Sequence, residues 1–258
     1  MINVKQDEIK LNPNQFPFGR SSKNTEQKNS SSGVLVNLYN FGPNLISFNI
    51  PSNFLDFLNE ESLKSRNNKL ITDNRKNLAG HLKEEYLLSD TARKYFCNNL
   101  RNYFISYFAL IYNVNQFKLP KEILLEGLWV NFMKCNEINP PHVHSSDFSF
   151  VLYLQVPDEI YEEEKNHIAR SPAPGTITFN YGYEHSWHKN NITLMPKKGD
   201  FYIFPAHLTH MVLPFKSDVE RISISGNIRV IVDDEKKPNN ISVDNDIWKK
   251  ISFNPEYL

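Results

Sequence analysis

His142 and His144 stand two residues apart in the stretch from Trp129 to Pro157, with Asp147 just beyond them. In an extended segment, side chains at i and i+2 leave the backbone on the same face, so both imidazoles can reach one ion. Asn139-Pro140-Pro141 before the pair and Ser145-Ser146 after it place the histidines at a strand end, where coordination positions stay open. A third histidine, His210, follows the apolar run Phe201–Phe204 and Pro205, at the base of a strand predicted to begin at Met211. Imidazole is the commonest metal-binding side chain, so the three form a candidate metal site. The competing reading is that they are structural histidines. His207 lies in the connecting turn and is expected to be exposed or to stand behind the ligands. His81, His167, His185 and His188 fall in polar loops and receive no role.

A second chemistry-bearing residue opens the alternating run Arg221-Ile222-Ser223-Ile224-Ser225. Period-2 geometry puts Arg221 and Ser223 on one face and the isoleucines on the other. A guanidinium inside a barrel is costly unless it meets an anion. With a hydroxyl at i+2 it makes a clamp for a carboxylate. An ordinary ion pair with Glu220 or Asp218 would account for the same residues.

These side chains need rigid supports. Leu124–Lys134, Phe148–Val156, Thr176–Phe179, Phe201–Phe204 and Ile222–Val230 are short β-rich segments separated by turn residues such as Asn139-Pro140-Pro141 and Lys198-Gly199-Asp200. Strands without intervening helices indicate an antiparallel sandwich or barrel. Upstream, Val34–Tyr39 and Leu45–Ile50 read as strands. Ser52 is expected to cap a helix to about Ser65. The longest predicted helix runs from Ala92 to Tyr112, with Phe96, Leu100, Tyr103, Tyr107 and Ile111 on one face and N-cap oxygens from Ser89-Asp90-Thr91. Glu162–Lys165 reads as a charged loop. The stretches Glu159–Pro174 and Tyr181–Asn191 are candidates for the border of a substrate entrance. Four regions result: a polar loop-like segment 1–33, strands and supporting helices 34–120, a β core 121–232, and a C-terminal extension 233–258 that is expected to drape over the barrel, with a short helix near Ile247.

Composition bounds the function. The high aromatic content, 13%, suits a β-rich core. Lys plus Arg and Asp plus Glu both number 29, so no global field draws nucleic acid or an anionic membrane. Cys97 and Cys135 lack zinc or disulfide spacing and are expected to be free thiols of a reducing compartment. Neither a signal peptide nor an 18-residue apolar window is evident. The expectation is a cytoplasmic protein, in the host cytoplasm if phage-encoded, with no membrane partner.

The ordered pieces WVNF, HVHSSDFSFVLYLQVP, PGTITF, PKKGDFYIFPAHLTHMV and ERISISGNI, from about Leu128 to Val230, resemble the 2-oxoglutarate/iron oxygenases of marine phages and bacteria. These are distant relatives of the prolyl hydroxylases. The resemblance implies a mainly β fold: a double-stranded β-helix (jelly-roll, cupin-like) core with flanking helices and N-terminal α/β support. It implies a dioxygenase that uses Fe(II), 2-oxoglutarate and O₂, releases succinate and CO₂, and hydroxylates a prime substrate, either a protein side chain or a small metabolite. His142 and His210 match iron ligands. Arg221 matches the group that holds the far carboxylate of 2-oxoglutarate, assisted by Ser223, while Tyr153 and Asn131 match positions that reach the co-substrate. One departure stands out. Where the family carries a carboxylate at i+2 this chain has His144, so the third ligand is either His144 or Asp147. Two other readings remain at this stage: a non-catalytic jelly-roll binding or phage structural module, and a three-histidine enzyme that needs no 2-oxoglutarate.

Overall fold

The computed structural model describes residues 42–68, 72–115, 120–187, 189–232 and 249–252. The predicted strand Val34–Tyr39, the 1–33 segment and the stretch near Ile247 lie outside these residues. Among these residues eleven strands and three α-helices follow in the order β1 (Ile46–Asn49), α1 (Ser52–Asn67), β2 (Glu85–Leu87), α2 (Asp90–Asn115), β3 (Glu122–Met133), β4 (Asn139–His142), β5 (Phe148–Gln155), α3 (Asp158–Lys165), β6 (Ile177–Asn180), β7 (Asn191–Leu194), β8 (Asp200–Pro205), β9 (Thr209–Val212), β10 (Arg221–Ile231) and β11 (Lys249–Ser252).

The strands form two sheets. The main sheet runs β1-β8-β5-β10-β3-β11, with β2 also paired to β3; the second runs β4-β9-β6-β7. Every hydrogen-bonded pair is antiparallel. From β3 onward the chain passes back and forth between the sheets, which makes the core a double-stranded β-helix, or jelly roll.

Period-2 alternation sorts the strands of the main sheet. Leu128, Val130, Phe132, Phe150, Leu152, Phe201, Ile203, Ile222 and Ile224 face α1 and α2 in one apolar cluster. Val151, Tyr153, Tyr202 and Phe204 face the second sheet in another. α2 is seated by aromatic contacts: Phe96 stacks on Phe150 with ring centroids 5.0 Å apart, and Phe104 meets Phe201 edge-on at 5.6 Å. Ser89 is its N-cap, the hydroxyl oxygen accepting from the Ala92 amide at 3.1 Å.

Several local expectations differ from what is found. Asn139-Pro140-Pro141, read as a turn, is part of β4. This is an edge strand of the second sheet, and an edge tolerates prolines because one side of the ladder needs no donor. The acidic run Glu162–Lys165, read as a loop, closes α3. There Pro157 stops the preceding strand, Asp158 and Glu159 complement the helix N-terminus, and Ile160 is buried. α1 starts at Ser52, yet no side chain caps it. Strands β2, β7 and β11 had no clear alternating pattern and were not anticipated. Cys97 and Cys135 are not joined in a disulfide, and Cys97 is buried. No helix among the described residues is long and apolar enough to cross a membrane.

The seat of α2 has a measurable weight. Phe104 is fully buried between Phe96, Phe150 and Phe201. Phe104→Ala is expected to lower the unfolding free energy by about 3–5 kcal/mol, read by denaturant titration. A loss below about 1 kcal/mol would show that the helix is not anchored by this contact.

Candidate active site

His142 ends β4, and His210 on β9 is its direct cross-strand partner. The ladder therefore fixes the spacing of the two imidazoles, whose ring centroids lie 4.2 Å apart. His144 lies beyond the strand, on a segment tied down by its backbone amide, which donates to the Ala206 carbonyl at 2.8 Å. Its ring stands 5.0 Å from that of His142 and 5.2 Å from that of His210. One ring nitrogen from each of the three falls within 4.8 Å of the others.

Hydrogen bonds and burial set the state of these rings. Nδ1 of His142 is 2.7 Å from the Pro140 carbonyl, and Nδ1 of His210 is 2.9 Å from the Leu208 carbonyl. A carbonyl can only accept, so Nδ1 carries the proton and Nε2 keeps its lone pair. Burial lowers the protonation constant of all three rings, to about 4 for His144 and about 3 for His210. Three neutral imidazoles with free lone pairs are a donor set suited to a first-row transition metal.

Asp147 is not part of this set. Its carboxylate accepts from the Val230 amide at 2.7 Å, and its own amide and carbonyl bond to Ile228 and Ala206. It clamps the segment that carries His144 to β10.

Arg221 begins β10 and is 3% exposed. Nη1 donates to the Gly175 carbonyl at 2.6 Å, Nη2 lies 2.7 Å from the Met133 sulfur, and Nε has no partner. Gly175 is held at φ 74°, and a Cβ there would come within 2.3 Å of Ile160, so the turn that presents this carbonyl requires glycine. The anticipated alternative, an ion pair with Glu220 or Asp218, is not formed: Arg221 bonds to Gly175 and Met133 instead, and Glu220 is bound bidentately by Arg66 at 2.9 and 2.5 Å. The guanidinium is thus buried without a carboxylate partner. Burial depresses its protonation constant, and the Tyr153 ring, 5.5 Å from the guanidinium carbon, offsets this in part.

The histidines and Arg221 line one cleft, together with Ser223, Tyr153 and Asn131. Residues 127–227 match the family model described as "Putative 2OG-Fe(II) oxygenase". That match covers less than half of the chain, from within β3 to within β10, and makes this segment similar to the 2-oxoglutarate/Fe(II) oxygenases. Enzymes of this kind use Fe(II), 2-oxoglutarate and O₂. No curated protein matches the chain. Solved structures similar to it include a Pseudomonas putida prolyl-4-hydroxylase, 15% identical over 72% of this chain and 91% of that one, with a TM-score of 0.46. HygX from Streptomyces hygroscopicus, solved with nickel and 2-oxoglutarate bound, is 10% identical over 72% of this chain and 83% of that one, with a TM-score of 0.44.

The cleft also includes groups that sequence reasoning missed: Trp129, Met133, Asn139, Ser225 and, from the N-terminal region, Leu78–Gly80 and Glu85. Alternation along β3 and β10 would have found Trp129, Met133 and Ser225, which share a face with Asn131, Arg221 and Ser223. Nothing in the local sequence marks Leu78–Gly80 or Glu85. Conversely, no described residue of Glu159–Pro174 or Tyr181–Asn191 lines the cleft. Tyr183 and Trp187 stand exposed on the surface.

The depressed imidazoles give a pH dependence with a definite sign. Between pH 6.5 and about 4 the unfolded chain takes up protons at its histidines that the folded chain, with His144 near 4, does not. The stabilising contribution is therefore complete above pH 6.5 and lost as the pH falls through that window. For His144 it amounts to at most about 3 kcal/mol. The metal-free chain is expected to melt at progressively lower temperature from pH 7 to pH 4, and His144→Gln to flatten that dependence. Parallel melting curves for both proteins across the range would contradict the burial of this ring.

Proposed function

We propose that this domain hydroxylates a prime substrate while converting 2-oxoglutarate to succinate and CO₂. His142, His144 and His210 hold the iron, and Arg221 receives the far carboxylate of 2-oxoglutarate. The observation that carries this reading is the Arg221 guanidinium, buried without a carboxylate in the cleft of three neutral histidines. An unpaired buried cation is expensive. A dicarboxylate that bridges from the histidine cluster to this guanidinium removes that cost.

The remaining lining residues have roles that follow from their donors and acceptors. Ser223, at i+2 from Arg221, offers a second donor to the same carboxylate. Tyr153 is fully buried, and desolvation pushes its hydroxyl up to about 12, so it stays protonated and donates. Asn131 bonds through Nδ2 to the Ser225 hydroxyl at 3.0 Å and holds the floor of the cleft in place. When bound, Fe(II) with 2-oxoglutarate and O₂ supplies the oxidising equivalent. The chain's part is to orient the co-substrate, keep the imidazoles neutral and exclude water.

Succinate formation by the anaerobically Fe(II)-loaded chain, exposed to O₂, tests the assignment. Wild type should turn over 2-oxoglutarate and show a 2-oxoglutarate-dependent visible absorption band. His210→Ala should lose both. In Arg221→Ala the apparent affinity for 2-oxoglutarate should fall by about 10²-fold, the scale of losing one charged partner of a buried pair. Absence of turnover and band in wild type would sink the assignment in favour of a binding module.

A further inference from the structure

The polar atoms that the fold leaves without partners extend beyond Arg221. Among buried side-chain atoms lacking a hydrogen-bond partner are Glu85 Oε2, Asn131 Oδ1 and Asn139 Oδ1. All three residues line the cleft that contains the histidines, and all three atoms are acceptors. Buried polar atoms are rarely left unpaired in a folded protein. Three of one polarity in one cleft point to a ligand that brings donors.

Glu85 is the most telling of them. It is 1% exposed and lies on β2 as the direct partner of Asn131 on β3. A Cβ on Gly80 would approach its Oε1 to 2.7 Å, so glycine makes room for the carboxyl group here. Among the described residues no lysine, arginine or histidine forms an ion pair with it. Arg75, the cation whose field reaches it, is bound to Asp73 at 2.6 Å. The neighbouring acid Glu137 is by contrast satisfied, accepting from the Lys83 and Lys134 amides at 3.0 and 2.8 Å. Nor does Glu85 belong to the histidine cluster. Burial, with a smaller contribution from Glu137, lifts its carboxyl to about 7.

We propose that Glu85, with Asn131 and Asn139, recognises a cationic nitrogen group of the prime substrate, an alkylammonium or a guanidinium. This rests on the reading of the cleft as the oxygenase active site. Such a group presents several N–H donors to several acceptors, and its charge stabilises the ionised form of Glu85. The same carboxylate repels 2-oxoglutarate and leaves that dianion to Arg221. The two buried charges of the cleft do not pair with one another, and each is kept for a different ligand.

The test is calorimetric titration of the full chain, loaded anaerobically with Fe(II) and 2-oxoglutarate. The probes are n-butylammonium, n-butylguanidinium and neutral butyramide. In wild type at least one cation should bind about tenfold or more tighter than butyramide. Glu85→Gln should remove that preference, and Asn139→Leu should weaken the cation while the chain keeps its melting temperature within a few degrees. Equal binding of cations and butyramide in wild type overturns the proposal, whatever the variants do. So does a preference that survives in both Glu85→Gln and Asn139→Leu. The 2-oxoglutarate-dependent absorption band, recorded on the same sample before any probe is added, reports the oxygenase reading separately. A band without cation preference sinks the recognition site alone. A cation preference without the band leaves the site and removes the oxygenase reading.

Discussion

A main sheet buried on both faces is the constraint on which the rest of this structure depends. On one face the aromatic residues of α2 lie against Phe150 and Phe201; on the other, β10 presents Arg221, Ser223 and Ser225 opposite Met133, Asn131 and Trp129 of β3. Side chains alternate along a strand, so a one-residue slip of β10 would turn Arg221 into the aromatic cluster and bring Ile222 and Ile224 into the cleft. Either change is costly: the first buries a charge among phenyl rings, the second wastes apolar area. The apolar contact with α2 thereby fixes the register that aims the polar residues. Stability and the site come from the same alternation.

The second sheet supplies the complementary half. His142 and His210 need no long-range adjustment because the β4–β9 ladder makes them neighbours. His144 has no ladder of its own and depends on the segment around Asp147. There the Asp147 carboxylate holds the Val230 amide, and the backbone of Ala206 bonds to both His144 and Asp147. Asp147 therefore acts on the histidine cluster through the backbone and supplies no oxygen to it. A set of neutral imidazoles without a carboxylate leaves the full charge of a divalent ion to be balanced by whatever else enters the cleft.

Much of this was legible in the sequence, because the strands that matter carry strong period-2 signals. Arg221-Ile222-Ser223-Ile224-Ser225 states its own two faces, and Phe148–Val156 and Phe201–Phe204 read as strands. α2 was legible from its apolar stripe. The failures share a cause: the deciding partner is remote in sequence. Pro140 and Pro141 argue for a turn unless the segment is known to lie on a sheet edge. Glu85-Tyr86-Leu87 is too short to show a period, and it becomes a strand only because β3 offers Asn131, Val130 and Trp129 as partners. The choice between His144 and Asp147 stayed open for the same reason. It turns on the amides of Ala206 and Val230, which no pattern around residue 144 contains.

Charge neutrality links the two ends of the cleft. Among its described lining residues, Arg221 and Glu85 are the sole permanent cation and the sole acid. Were they in contact, they would neutralise each other and the cleft would be an apolar slot closed by a buried ion pair. Held apart, Arg221 on β10 by the Gly175 carbonyl and Glu85 on β2 against Gly80, they give the cleft a polarity that a dianion and a cation can both use without competing. A divalent ion on three neutral imidazoles and a bound dicarboxylate together sum to zero. Arg221 and an ionised Glu85 sum to zero as well. On the proposed reading a cationic substrate enters a cleft with no excess positive charge to repel it, and at Glu85 it meets a buried carboxylate that forms no ion pair among the described residues. Had position 144 been a carboxylate, the charge of the cleft would be more negative by one unit before any substrate arrived. On the proposed reading, the histidine at position 144 and the unpaired acid at position 85 are two parts of one electrostatic arrangement, in which negative charge is kept from the histidine cluster and placed where a substrate would meet it.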